Sequence, residues 1–212
     1  MRRFNVLIVE DNAIARAAVQ SWLRTEDDIA RTDEAATAAA ALERLRSDTW
    51  HLLLLDLALP DGSGLDLLRR IRVIWPSLRV LIVSGLPEQA YARHALRCGA
   101  AGYWEKGQSE ASFLQAVRQV LAGHRFVSAT LAEILAQHVF QPNDQPPHLR
   151  LSVREFQVFY KFAQGRSTSQ VADQLCLSTK TVSAYRKEVA QKMGLKANAD
   201  FTRYALRNGL LG

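Results

Sequence analysis

Cysteine is scarce in this sequence, and its scarcity excludes several kinds of site. The only two cysteines, Cys98 and Cys176, lie in different halves of the 212-residue chain. They form no CxxC motif, zinc-ligand set or disulfide framework, so we expect both thiols to be reduced. The sequence also lacks internal repeats.

Long apolar runs are missing as well. A transmembrane helix needs about 20 consecutive apolar residues, and no run in this sequence approaches that length. The first residues, MRRFN, lead directly into a strand-like run without the apolar region and cleavage site of a secretory signal. We therefore expect a cytoplasmic protein with no membrane partner.

Charge is unevenly distributed along the chain. The net charge is +6, but residues 149–212 carry 11 basic and 4 acidic residues, whereas residues 1–148 carry 16 basic and 17 acidic residues. A strongly basic region favours a polyanionic partner such as nucleic acid. A solvated helical face would show a similar excess, so charge alone does not decide between the two.

The first half of the chain alternates strand-like and helix-like segments. This alternation, with apolar strands, predicts an α/β fold in which a doubly wound parallel sheet has five strands. Arg31 and Asp33 interrupt the second strand, which an edge position would explain. The predicted strands are 4–9, 29–33, 52–56, 79–84 and 101–104, and the predicted helices are 12–25, 37–48, 63–75, 87–98 and 109–122.

The second half predicts a smaller all-α domain behind a linker. A helix over 128–139 precedes a polar segment, 141–148, which holds three of the six prolines. Ser152 and Glu155 have the spacing of a capping box that opens the next helix. Further helices are predicted over 168–175, 179–193 and 198–208. The predicted domains are therefore 1–123, a linker region 124–148, and 149–212.

Polar residues end several predicted strands of the first half, which are Glu10, Asp11, Asp56, Ser84 and Lys106. If the strands are parallel, all of these residues project from the carboxyl edge of one sheet, where open α/β sheets place their chemistry. Three carboxylates, a hydroxyl and an ammonium group suit Mg²⁺ beside a phosphorylatable aspartate.

Within this group Asp56 is the candidate nucleophile, because it ends the most apolar and most central strand. Glu10 and Asp11 would hold the metal, Lys106 would pair with phosphoryl oxygens, and Ser84 would donate to them. Each residue alone has an ordinary alternative, such as a helix cap, a turn residue or a loop lysine. Their coincidence at successive strand ends argues against those alternatives.

Residues 4–122 resemble the receiver domain of bacterial response regulators. The resemblance rests on Glu10-Asp11, on the D-x-x-x-P-x-x-x-G spacing of 56–64, on Val83-Ser84-Gly85, and on 99–106. It implies that a histidine kinase phosphorylates Asp56 with Mg²⁺. The metal would be held by Asp11, Asp56 and the backbone carbonyl of Ala58, with Glu10 acting directly or through water. Ser84 would move toward the phosphoryl group and Tyr103 would swing inward behind it as a switch pair.

One feature of the sequence departs from the receiver pattern, and another predicts how long the phosphoryl group persists. Lys106 is followed by Gly107-Gln108-Ser109 instead of the usual acidic residue and small helix cap. Ala58 and Leu86, which flank the predicted phosphorylation site, carry no acid or base that could orient an attacking water. We therefore expect slow self-dephosphorylation. The absence of a second acid at Ala58 also argues against a hydrolase, so no enzymatic function is predicted.

The predicted helix 179–193 has two distinct faces. Val182, Val189 and Met193 recur on one side and predict a buried face. The opposite side is small and basic, which suits entry into a DNA major groove, and it carries Lys180, Ala184, Lys187 and Gln191 with Ser183 on its flank. Ser178 is the predicted cap of the N-terminus, whose free N–H groups favour phosphate. The alternative is a surface helix that only packs on its neighbours.

The second half resembles the LuxR-type helix-turn-helix domain. The matching segments are 151–155, 163–167, 171–175, 177–183 and 192–194. Receiver and LuxR-type domains together define the NarL/FixJ class of response regulators. The resemblance implies that Ser183, Ala184 and Lys187 face bases, and that Lys180, Thr181 and Lys192 hold backbone phosphates. It also implies a dimer contact through the last helix, for which Tyr204 and Leu206 are candidates with core packing as an equal alternative.

The sequence thus predicts a two-component transcription regulator that is switched by phosphorylation of Asp56. The implied partners are double-stranded DNA, a cognate histidine kinase, a second copy of the chain on DNA, and RNA polymerase. Phosphorylation would act through segment 141–150, either by releasing the recognition helix or by pairing receivers. The alternative is a receiver-fold regulator that binds DNA or a protein partner independently of phosphorylation.

Overall fold

The structure is a computed structural model that describes residues 3–140 and 146–211. The chain divides into two compact units, Met1–Ala129 and Thr130–Gly212. Within the described residues, no helix is both long enough and apolar enough to cross a membrane.

The first unit contains a five-stranded parallel sheet with the strand order β2-β1-β3-β6-β7. This confirms the predicted doubly wound receiver fold. The sheet strands are β1 Phe4–Val9, β2 Ile29–Ala35, β3 Leu52–Leu55, β6 Arg79–Ser84 and β7 Gly102–Glu105. The helices are α1 Ala13–Leu23, α2 Ala38–Ser47, α3 Gly64–Ile74, α4 Glu88–Arg97 and α5 Glu110–Leu121.

The burial of the strands follows their place in the sheet. All residues of the central strand β3 are buried, as expected for a strand covered by helices on both faces. The edge strand β2 has only Ala35 buried, which explains how it tolerates Arg31 and Asp33. It runs two residues further than predicted, because its pairing with β1 continues to Ala35.

A short antiparallel hairpin, β4 Ala58–Leu59 and β5 Gly62–Ser63, follows β3 and was not predicted. Its turn is Pro60-Asp61, directly before Gly62. Proline presets the backbone angle φ of a turn, and the aspartate side chain can bond to the backbone of the turn. Gly64 then starts α3, where an added Cβ would lie 2.3 Å from the backbone oxygen of Asp56. Only glycine therefore allows α3 to begin so close to the end of β3.

The second unit is helical, as predicted. Its elements are α6 Ala129–Phe140, a 3₁₀ turn Pro147–Arg150, α7 Val153–Ala163, α8 Thr168–Leu175, α9 Thr179–Met193 and α10 Asn198–Arg207. Ser152 and Glu155 form the predicted capping box. Phe156, Phe159 and Phe201 are fully buried in its core.

The predicted linker 141–148 is only partly within the described residues, since 141–145 lie outside them. At its end, Nδ1 of His148 lies 3.0 Å from the hydroxyl of Tyr204, and His148 is buried. The residues just before α7 thus pack on the last helix. His148 belongs with the helical core and not with a free connecting segment.

Candidate functional site

The carboxylate of Asp56 is held at the carboxyl edge of the sheet by three donors. Ser84 Oγ donates to Oδ1 at 2.8 Å, and the backbone N–H of Ala58 donates to the same oxygen at 3.2 Å. Lys106 Nζ lies 2.7 Å from Oδ2. Asp56 is 5% exposed, so its orientation is fixed by these contacts. The structure therefore brings the predicted phosphoacceptor, hydroxyl and ammonium group together.

Glu10 and Asp11 complete an acidic cluster beside Asp56. One carboxylate oxygen from each of the three residues lies within 4.8 Å of the others. Lys106 Nζ also pairs with Glu10 at 2.5 Å, so one ammonium group bridges two carboxylates. Hard oxygen donors in this number and spacing fit a divalent cation such as Mg²⁺. Glu10 is buried, whereas Asp11 is exposed and accessible from solvent.

The electrostatics of the cluster follow from burial and from the bridging lysine. Burial raises the pKa of Glu10, and the hydrogen bond from Lys106 offsets only part of that shift. Burial also disfavours the charged form of Lys106, but its contacts with Asp56 and Glu10 outweigh this and raise its pKa. Lys106 therefore stays protonated and positive beside the phosphoacceptor.

Tyr103 lies behind this site and points into the protein. Its side chain is fully buried, and its hydroxyl donates to the carbonyl of Leu86 at 2.7 Å. Burial raises the pKa of the phenol well above its usual range. Ser84, which contacts Asp56, is the last residue of β6 and lies two residues before Leu86. The predicted switch residues Ser84 and Tyr103 are thus joined through one short segment.

The structure assigns contacts to two residues that the sequence interpretation did not use. The carboxylate of Asp61 accepts from the N–H groups of Ala38 at 2.8 Å and Ala39 at 2.9 Å, at the start of α2. Arg16 donates to the backbone oxygen of Glu10 at 2.8 Å. Asp61 lies within the 56–64 motif, but nothing in the sequence indicates that its carboxylate binds the start of α2.

Helix α9 has the two faces that its sequence predicts. Val182 and Val189 are fully buried and Met193 is 7% exposed, which confirms the predicted inward face. The other face is open to solvent, because Lys180, Ser183, Ala184 and Lys187 are all exposed. A small, basic and accessible helix face is what major-groove binding requires.

Hydroxyl groups at the start of α9 are partly engaged within the helix. Ser178 accepts from the backbone N–H of Thr181 at 3.0 Å, which confirms it as the N-cap. The hydroxyls of these two residues also contact each other at 2.7 Å. Ser183 donates to the carbonyl of Thr179 at 2.8 Å. A DNA contact by Ser183 would therefore use its oxygen as an acceptor or require its hydroxyl to rotate.

Lys192 has a partner that the sequence interpretation missed. Its Nζ lies 2.6 Å from Oε1 of Glu155, whose side chain is 3% exposed, whereas that of Lys192 is 49% exposed. Burial opposes ionisation of Glu155, but the hydrogen bonds from Lys192 and Ser152 outweigh it and lower its pKa. Lys192 therefore joins α9 to α7 while half of its side chain stays open to solvent.

The two candidates for a dimer contact in α10 differ in exposure. Tyr204 packs on His148, with ring centroids 5.7 Å apart, and on Phe159 at 5.9 Å. These contacts favour core packing for Tyr204. Leu206 is 56% exposed, so it alone of the two presents an apolar side chain to solvent.

Comparison with known proteins places this geometry in a family. Residues 6–118 match the model of the response regulator receiver domain, and residues 149–205 match that of bacterial regulatory proteins of the luxR family. The chain belongs to the response regulators that join a receiver domain to a LuxR-type DNA-binding domain. The predicted NarL/FixJ class is confirmed.

Individual relatives share this architecture over nearly their whole length. The chain is 35% identical to the transcriptional activator protein ExaE of Pseudomonas putida over 208 residues, which is 97% of each chain. It is 30% identical to the response regulator GacA of Pseudomonas protegens over 206 residues, also 97% of each. RcsB from Salmonella enterica serovar Typhimurium, bound to a promoter with the phosphomimetic BeF₃⁻, has the same fold. The TM-score is 0.73 at 22% identity, covering 96% of this chain and 98% of that one.

Proposed function

We propose that the receiver accepts a phosphoryl group on Asp56 from a histidine kinase, and that this controls DNA binding by α9. The observation that supports it most strongly is the placement of Asp56 between Ser84 and Lys106 beside the acidic cluster. Glu10, Asp11 and Asp56 would hold Mg²⁺, with the Ala58 carbonyl as a further ligand. When bound, the cation neutralises charge on the phosphoryl oxygens.

Four residues of the chain have distinct roles in phosphoryl transfer. A carboxylate oxygen of Asp56 attacks phosphorus, and the phosphorus–nitrogen bond of the donor histidine breaks as the acyl phosphate forms. Lys106 already sits within 2.7 Å of Asp56 and supplies positive charge to the incoming phosphoryl oxygens. The Ser84 hydroxyl transfers its hydrogen bond from the carboxylate to the phosphoryl group. Tyr103 holds the loop that carries Ser84 through its bond to the carbonyl of Leu86.

The output is binding of double-stranded DNA by the second unit. The exposed face of α9 would enter the major groove, with Ser183, Ala184 and Lys187 toward bases. The residues near phosphates would be Ser178, Lys180, Thr181 and Lys192. RcsB, which shares the fold, is bound to promoter DNA in its described structure. A homodimer on DNA would place two recognition helices on two half-sites, and RNA polymerase would be a further partner. The described geometry leaves release and dimerisation as two routes to the same output.

Phosphorylation is tested by the intact mass of the full chain after incubation with Mg²⁺ and a small phosphodonor. The native chain should gain one phosphoryl group and Asp56→Asn should gain none. Asp61→Asn is the matched control, because Asp61 caps α2 and should leave the gain intact. A gain that persists in Asp56→Asn would refute the assignment. No gain in any chain would favour the phosphorylation-independent alternative.

DNA binding is tested by electrophoretic shift with genomic fragments at several salt concentrations. Lys187→Ala should weaken affinity by about 1–3 kcal/mol if Lys187 reads a base, or reduce the salt slope by about one if it holds a phosphate. Lys196→Ala serves as the control, since Lys196 is exposed but lies outside α9. Unchanged affinity and salt slope in Lys187→Ala would remove Lys187 from the interface.

A further inference from the structure

The segment after α5 lies along the β7 edge of the sheet before α6 begins. Phe126 bridges to Gly102 in parallel register, and its N–H donates to the carbonyl of Ala101 at 2.9 Å. The fit is close, because a Cβ added at Gly102 would lie 2.8 Å from that of Phe126. Phe126 is itself buried. The end of the first unit is therefore held on the receiver sheet at Phe126, three residues before α6.

Ser128, which directly precedes α6, is bonded to the first residue of α4. Its hydroxyl donates to Oε2 of Glu88 at 2.6 Å. Glu88 is 3% exposed, and its Oε1 has no hydrogen-bond partner among the residues the structure describes. Burial raises the pKa of this carboxyl, the bond from Ser128 opposes the shift, and the charge of Glu105 adds to it. A buried carboxylate with one unpaired oxygen is costly, so its bond to Ser128 carries weight.

Glu88 also ends the loop that carries the switch. Ser84 begins this loop at the phosphorylation site, and Leu86 accepts the hydrogen bond of Tyr103 at 2.7 Å. The backbone N–H of Glu88 donates to Oε2 of Glu105 at 2.8 Å. Only three residues separate Ser84 from Glu88. Ser84 and Glu88 therefore lie at the two ends of one short segment, which Tyr103 and Glu105 contact through its backbone.

We propose that Glu88 and Ser128 are positioning residues that pass the movement of the switch loop to the first turn of α6. The inference rests on the proposed phosphorylation of Asp56. When Ser84 moves, Glu88 moves with the loop and its single hydrogen bond to Ser128 is strengthened or broken. Since Phe126 holds the preceding residues on the sheet, the effect of that bond falls on Ser128 and the start of α6.

The test is amide hydrogen exchange of residues 129–133 in the full chain, with and without Mg²⁺ and acetyl phosphate. Intact mass of the same samples reports phosphorylation. In the native chain, exchange at these amides should change on phosphorylation. In Ser128→Ala the effect of phosphorylation on the exchange rates of these amides should be smaller by a factor of about ten or more. This factor corresponds to the loss of one charge-assisted hydrogen bond. Ser128→Thr keeps the hydroxyl and should restore the change, which a purely structural role would not predict.

Two variants of Glu88 and one control variant ensure that the test does not depend on whether a single mutant folds. Glu88→Gln retains an acceptor oxygen and should keep most of the response, whereas Glu88→Leu should lose it. Ser109→Ala removes a hydroxyl that caps α5 and should respond like the native chain.

The outcomes separate this inference from the proposed function. A mass gain with a native-like exchange response in both Ser128→Ala and Glu88→Leu would overturn the inference alone. A native chain that gains no phosphoryl group would overturn the proposed phosphorylation, and the inference with it.

Discussion

The ion pair between Glu155 and Lys192 provides a quantitative test of how the helical unit is held together. Lys192→Met removes the ammonium group and keeps most of the side-chain volume. Glu155 then remains 3% exposed with its hydrogen bond from the N–H of Ser152, at 2.7 Å, but without its cation. The loss should therefore fall on the stability of the second unit, because the pair joins α7 to α9.

The magnitude follows from the exposure of each partner. Breaking a fully buried ion pair costs about 3–5 kcal/mol. Here Lys192 is 49% exposed, so water screens the pair, and the bond from Ser152 remains. We therefore expect a loss of about 1–2 kcal/mol in the free energy of unfolding.

The same pair predicts a dependence on pH. The folded pKa of Glu155 is lowered from 4.5, so its contribution to stability is complete above that value. The contribution is lost as the pH falls through the lowered folded pKa. The difference between the native chain and Lys192→Met should accordingly be largest near neutral pH and should shrink as the pH falls below 4.5.

The assay must report on the second unit alone. All four tryptophans lie in the first unit, so their fluorescence follows only that unit and serves as an internal control. Hydrogen exchange of α9 amides in increasing urea reports on the second unit. Lys187→Met is the matched variant without an ion pair among the described residues. Equal stability of Lys192→Met and the native chain at neutral pH would refute the reasoning, as would a loss that does not vary with pH.

Three further substitutions should have defined effects. Cys176 has φ of 51°, so Cys176→Gly should stabilise the second unit by about 0.5–1 kcal/mol and Cys176→Ser should not, as measured by urea-dependent exchange. Gly102→Ala should cost about 1–3 kcal/mol through its clash with Phe126, whereas Gly62→Ala has open space, and tryptophan fluorescence during denaturation compares them. Tyr103→Phe should cost about 1 kcal/mol by the same measurement, since it removes one buried hydrogen bond.

The strand pattern and the strand-end residues were predictable because both depend on local sequence. Apolar runs identified β1, β3, β6 and β7 of the main sheet, and parallel pairing then placed Asp56, Ser84 and Lys106 at one edge. The same holds for α9, where the spacing of Val182 and Val189 was enough to separate its buried face from its exposed one.

The contacts that escaped prediction join residues far apart in the sequence. Ser128 meets Glu88 across 40 positions, and Lys192 meets Glu155 across 37. Neither pair leaves a spacing pattern, and the capping box that identified Glu155 gives no indication of a contact with Lys192. The hairpin after Asp56 was missed for a different reason, because strands of two residues are too short to show alternation.

The close fit of Phe126 against Gly102 bears on where the receiver domain can be truncated. A receiver cut after residue 123 would lose the segment that bridges to β7 and would uncover the apolar surface around Leu81 and Trp104. An uncovered edge strand is a template for pairing with other chains. A receiver fragment that keeps this apolar cover therefore has to include Phe126, and a fragment ending at residue 123 should be less stable and more prone to self-association than one ending after it.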